Sequence, residues 1–273
     1  MPFLILAVFF TVLFFHTIRR AQARGCDMMV AGVVNYALAA LICGLVSAAG
    51  GNREIHTVTL ILGTLQGIGF IVSYILLCTS FERRGLTIST TITRLSLMIP
   101  ILASVFWWGE RPSIAQVIGI GASLGALPLL SAGSPFRPSG TKGLWFTMLL
   151  FLSVGGCHLV AKAFVMQQVP DAMTTYMAGL FGVAAIGGGL SLPFRSFQPT
   201  RRDVKEGVTM GVANVLATLF TLIALDMVPG VIAFPVISCG GVVATTFFAM
   251  VVWKERLTPR SRLGIGVASI GIT

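Results

Sequence analysis

Arg94 is the residue best placed to do chemistry. It stands nine residues into an apolar run, 86–108, that holds no other charge. In a helix rising 1.5 Å per residue it lies about 12 Å along that run. Keeping a guanidinium at that depth in hydrocarbon costs at least about 2.5–3.5 kcal/mol, so it should face a cavity or a partner. Thr87, Thr90 and Thr91 precede it by seven, four and three positions, which puts them on its helical face. The stripe predicts a substrate contact in which the guanidinium grips a carboxylate or phosphate through paired hydrogen bonds. The competing role is architectural: Arg94 caps the carbonyl freed by Pro100, or snorkels to the nearer membrane face.

Other polar groups in apolar runs are uncharged. Gln66, Tyr74 and Asn214 are candidates for orienting a solute, and each would serve equally well by bonding a neighbouring helix. Asn35, Tyr36 and Tyr176 have the same two uses. Histidine side chains titrate near neutral pH, so His16 and His158 are candidates for proton coupling, as is Asp226, the acid nearest a run's end. Met227-Val228-Pro229-Gly230 follows Asp226 as a turn, which favours a solvated interfacial carboxylate. HExxH, GxSxG and Gly-rich phosphate loops are all missing, which argues against an enzyme and against ATP-driven pumping by this chain. The five cysteines show no CxxC pairing and read as small buried residues, with no metal site. No cofactor is expected.

The elements that must position these residues are membrane helices. Hydrophobic residues make up 55% of the 273 and charged ones only 10%, with a mean hydropathy of +0.91. Soluble domains carry about 25% charged residues. So little charge cannot cover a water-facing surface, and membrane lipid is the expected surroundings. About 20 residues cross a hydrocarbon core of about 30 Å. Runs of that order give ten candidate spans: 3–18, 28–49, 57–80, 86–108, 113–131, 143–163, 172–194, 207–226, 230–253 and 262–273. The last is short; either it stops within the bilayer or the chain continues past Thr273.

Nineteen Lys and Arg face nine Asp and Glu, for a net charge of +10. A nucleic-acid partner is not the explanation, because the basic residues sit in short clusters between apolar runs. The loops after spans one, three, five, seven and nine hold fifteen of them, and the alternate loops hold Arg53, Arg111 and Lys162. The positive-inside rule then puts the first set in the cytoplasm and both termini outside.

The sequence also matches itself at an offset of 145 residues. Gly85-Leu86 aligns with Gly230-Val231, Glu110-Arg111 with Glu255-Arg256, and Gly119-Ile120-Gly121 with Gly264-Ile265-Gly266. At a slightly different offset His16 and Arg20 match His158 and Lys162. Two halves follow, 1–136 and 137–273. Five spans per half is an odd number, so the second copy must be inverted, a plan that recurs in secondary transporters. Arg94 has Cys239 as its counterpart, so any site built on it is asymmetric. Gly121 and Gly125 form a small-xxx-small pair suited to close helix packing. Pro100 and Pro235 are expected to break the fourth and ninth spans.

The stretches around "GERPSIAQVIGIG" and "KERLTPRSRLGIG" resemble the paired halves of the drug/metabolite transporter superfamily, in particular its EamA-type ten-helix members. That resemblance covers essentially the whole chain. It implies an all-α membrane fold of ten helices in two inverted five-helix repeats. It also implies alternating-access transport of a small-molecule solute through a cavity lined by the first four helices of each half. Small cation antiporters of the superfamily use a glutamate within the first helix, and neither half has one here. A neutral, anionic or zwitterionic metabolite is therefore expected. The alternatives are a drug or toxic-compound exporter of the same superfamily and a lipid-flipping or accessory membrane protein; a homo-oligomer is left open.

Overall fold

In a computed structural model of the chain, the described residues are 2–50, 56–84, 86–114, 117, 118, 121, 140–192 and 199–252. Within them the side chains of 81–88, 90, 91, 141–144, 242 and 245–252 fall outside the description. The described elements are all helical: α1 (Pro2–Ala23), α2 (Met28–Ala49), α3 (Thr57–Arg84), α4 (Leu86–Leu95), α5 (Met98–Phe106), α6 (Gly140–Val165), α7 (Met173–Ser191), α8 (Arg201–Met227) and α9 (Gly230–Val252). Six of these are long and apolar enough to cross a membrane. Ile5, Phe9, Leu41, Leu45, Ile186 and Leu190 point outward from three of them, as lipid-facing side chains would.

Local chemistry sets where the helices start. Asp27 caps α2 by accepting from the backbone N–H groups of Met29 and Val30 at 2.8 and 3.3 Å. Thr200 and Asp203 form a reciprocal capping box that opens α8. Asp203 also accepts from the Asp27 N–H at 3.1 Å, so one carboxylate joins the starts of α2 and α8. Gly25, at φ +68°, supplies the left-handed residue that turns α1 into α2.

The helices pack across the chain's midpoint more than within either half. α1 lies against α8 and α9, α2 against α7 and α8, and α3 against α6 and α7; α4 and α5 lie against α6 and α9. Glycines allow the closest of these approaches. A Cβ on Gly63 or Gly67 would meet the α7 backbone, at 3.2 Å from the Tyr176 oxygen and 2.5 Å from the Leu180 oxygen. Gly207 and Gly211 stand in the same relation to α2, 2.7 Å from the Ala31 oxygen and 2.9 Å from the Asn35 oxygen. Both pairs are i, i+4, the small-xxx-small spacing that lets helix backbones touch. Gly125 lies outside the described residues, so the pair expected with Gly121 is not seen.

The fourth span breaks as expected, and several other expectations need correction. It is two helices, because Pro100 has no N–H to give Ser96 and its ring crowds that carbonyl. Ser96 and Leu97 form the joint: the Ser96 carbonyl accepts from Ile99 at 3.1 Å and its hydroxyl donates to the Thr93 carbonyl at 2.7 Å. α9, by contrast, runs on through Pro235 without a break. That proline costs only the bond to Val231, next to a helix start whose N–H groups are satisfied from outside. α8 begins six residues before the expected span and so takes Asp203 and Glu206 into the helix. Lys162 is a buried residue of α6 rather than a loop cation. Most of span 113–131 and all of span 262–273 lie outside the described residues.

Candidate functional site

The joint between α4 and α5 puts Arg94 in the last turn of a short helix, facing inward. It is only 5% exposed. Its Nη1 donates to the Ile237 carbonyl of α9 at 3.1 Å, and its guanidinium carbon lies 5.4 Å from the centre of the Phe15 ring of α1. The absence of a side chain at Gly241 makes room for it: a Cβ there would sit 2.5 Å from three guanidinium atoms. Ser238 donates to the Arg94 carbonyl at 3.5 Å, a second link from α9. No carboxylate pairs with Arg94 among the described residues. One carbonyl and one ring orient the guanidinium without neutralising it.

Arg94 opens onto a cavity of about 170 Å³ between α1, α2, α3, α4, α6, α8 and α9. Phe14, Phe15, Phe70, Leu77 and Leu97 make its apolar wall, and Tyr36 meets Tyr74 edge-on with ring centres 5.8 Å apart. The Tyr74 hydroxyl donates to the Met28 carbonyl at 2.6 Å, and its ring lies on Gly32, which has no room for a Cβ. Asn214 donates to the Asn35 side-chain oxygen at 3.2 Å and lines the same space with His158, Ser73, Thr93 and Thr221.

Five of the expected residues therefore share one cavity: Arg94, Tyr36, Tyr74, Asn214 and His158. Gln66 is used elsewhere, accepting from the Tyr176 hydroxyl between α3 and α7. His16 is half-buried on α1, one turn before Arg20 and off the cavity wall. Asp226 is exposed in the last turn of α8, on a shallow depression beside Lys162 and Pro229. The side chains of Thr87, Thr90 and Thr91 lie outside the described residues. Reading the sequence for polar groups passes over the aromatic wall, since Phe14, Phe15 and Phe70 look like any lipid-facing phenylalanine until their neighbours are known.

Ion pairs tie neighbouring elements together at both ends of α8. At the start of α8, Glu206 is fully buried and receives Arg20 at 2.8–2.9 Å and Arg24, both from the end of α1. At the other end of α8, Lys162 lies 2.8 Å from Glu110, which also accepts from the N–H groups of Gly230 and Val231 at 3.1 and 2.9 Å. Burial pushes the Glu110 carboxyl up, but the hydrogen bonds from Lys162 and the two N–H groups outweigh it and hold it below its ordinary value.

Residues 1–132 match the profile of the EamA-like transporter family. That match spans just under half of the chain, and the family it describes belongs to the drug/metabolite transporter superfamily. The chain is accordingly a multi-pass integral protein of the cell membrane. An uncharacterized protein of Haemophilus influenzae is 27% identical over 205 residues, which cover 70% of this chain and 67% of that protein. One solved crystal structure is similar over 100% of this chain and 97% of its own, with a TM-score of 0.78. At 15% identity that likeness is one of fold alone. In a chain similar to transporters, the partly enclosed space beside Arg94 is the natural place to look for solute.

Proposed function

We propose that the protein is a secondary active transporter that carries a small neutral, anionic or zwitterionic metabolite by alternating access, without catalytic activity of its own. The observation that carries this reading is the Arg94 cavity, where helices from both parts of the chain converge on one buried cation that no carboxylate neutralises among the described residues. A charge there is costly unless a solute or a partner group uses it.

The reading includes two inverted five-helix halves, 1–136 and 137–273, and three observations support it. The packing of α1 on α8 is mirrored by that of α6 on α3, and α2 on α8 by α7 on α3. The glycine pairs of α3 and α8 occupy matching places and do matching work. Lys162 and Arg20, which match in the sequence, each hold a glutamate, at opposite ends of the bundle. Alternating access needs such closures, with one end opening while the other holds.

Uptake into liposomes containing the purified protein tests the proposal. Saturable uptake of a metabolite from a panel of amino acids, sugars, organic acids and nucleobases, abolished by Arg94→Ala, is the expected result. A folded protein that moves none of them, or moves one equally well without Arg94, overturns it.

A further inference from the structure

We infer that the solute taken by this cavity is a small organic monoanion with an apolar body, such as a monocarboxylate, rather than a zwitterion, a dianion or a cation. The inference rests on the transport reading above and narrows its substrate class. It follows from charge and shape. The wall carries one permanent cation, Arg94, and neither an aspartate nor a glutamate among its described lining residues. A monoanion entering leaves the site neutral. A zwitterion satisfies Arg94 but brings an ammonium with no carboxylate to receive it, and a dianion brings a second negative charge with no second arginine. Each would strand a charge in a desolvated pocket, which is the expensive outcome. A cation would meet Arg94 itself.

Shape points the same way. Around Arg94 the wall is made of phenylalanine, tyrosine and leucine side chains, which favour an apolar body. A cavity of about 170 Å³ is of the order that takes a benzene-sized molecule. The guanidinium donates to the Ile237 carbonyl through Nη1 and stands over the Phe15 ring, which leaves its other N–H groups as donors for a carboxylate. Asn214 and His158 add hydrogen-bonding capacity at the wall that can orient a carboxylate.

Calorimetric titration of the purified full chain with ligands that differ chiefly in charge tests this, with 3-phenylpropionate as the size control for phenylalanine. Benzoate should bind saturably, with benzamide, phenylalanine and benzylamine each at least about tenfold weaker. Butyrate should exceed succinate in the same way. Arg94→Gln should weaken benzoate on the order of tenfold to a hundredfold, the range set by a charge-assisted hydrogen bond, and bring it level with benzamide. Arg94→Lys should keep part of the preference, and thermal unfolding of both variants reports that they are folded. Phenylalanine or succinate binding as tightly as its monoanionic partner overturns the inference, as does benzoate binding that ignores Arg94→Gln, or no benzoate or butyrate binding to folded wild type. Flux in liposomes separates the two readings. Benzoate that binds through Arg94 but never crosses leaves the site standing and removes the transporter. Arg94-dependent phenylalanine flux keeps the transporter and removes the monoanion.

Discussion

Lys162 Nζ lies 2.8 Å from Glu110 Oε1, with the lysine side chain 3% exposed and the glutamate 15%. The pair joins the end of α6 to the segment after α5, and Glu110 adds the start of α9 through two backbone N–H groups. Helix starts carry orphan N–H groups and a partial positive charge, so this carboxylate serves one cation and one helix start at once. Breaking such a pair from one side leaves the other charge buried and unpaired, at a cost of about 3–5 kcal/mol. Glu110→Gln should therefore lower the unfolding temperature clearly, and adding Lys162→Met should recover part of the loss. A single substitution as mild as a surface change would show that the pair does not hold the end closed.

The same carboxyl sets a pH dependence. Its value in the folded protein is below the ordinary one, so its stabilisation is complete above the ordinary carboxylate range and disappears as pH falls through the folded value. Thermal unfolding followed on acidification should show wild type losing its advantage over Glu110→Gln. An advantage that grew toward acid would have the wrong sign.

At the opposite end, Glu206 has two arginine partners, each about half exposed. Arg20→Ala and Arg24→Ala alone each leave it one partner, and the double variant leaves a buried carboxylate with neither. The double should therefore cost more than the two singles added, by a coupling of about 0.5–3 kcal/mol in a denaturant double-mutant cycle. Strict additivity would mean the two contacts are independent.

Glycine substitutions should split by what their Cβ would meet. Gly67→Ala and Gly207→Ala press on the Leu180 and Ala31 carbonyls, backbone that cannot swing away, and should each cost about 1–3 kcal/mol. Gly156→Ala meets nothing within 4 Å and should be neutral or slightly stabilising. Equal effects in thermal unfolding would deny the close helix approach.

Gly241→Ala is a different case, because its Cβ meets the far end of the Arg94 side chain rather than backbone. The fold should survive while the guanidinium moves. Benzoate binding should weaken several-fold with little change in unfolding temperature, and unchanged binding would show that Arg94 is not held where the cavity needs it.

The sequence determined the class of this protein on its own, because solvent sorts residues by chemistry before any contact forms. Apolar runs of span length, almost free of charge, can be satisfied only by helices in lipid, which is why 28–49 was legible to the residue. Arg94 was legible for the same reason: its cost in that setting does not depend on which helices surround it. The partners of a charge are another matter. Lys162 looked like a loop cation and Glu110 like the end of a motif, since nothing in the local sequence says that residues so far apart close on one helix start. Gln66 and Asn214 were indistinguishable as uncharged amides, until packing gave one to Tyr176 and the other to the cavity. Tertiary structure decided these because helix registry and facing are set by long-range fits, such as Gly67 on Leu180 and Gly207 on Ala31, whose two sides lie far apart in the chain.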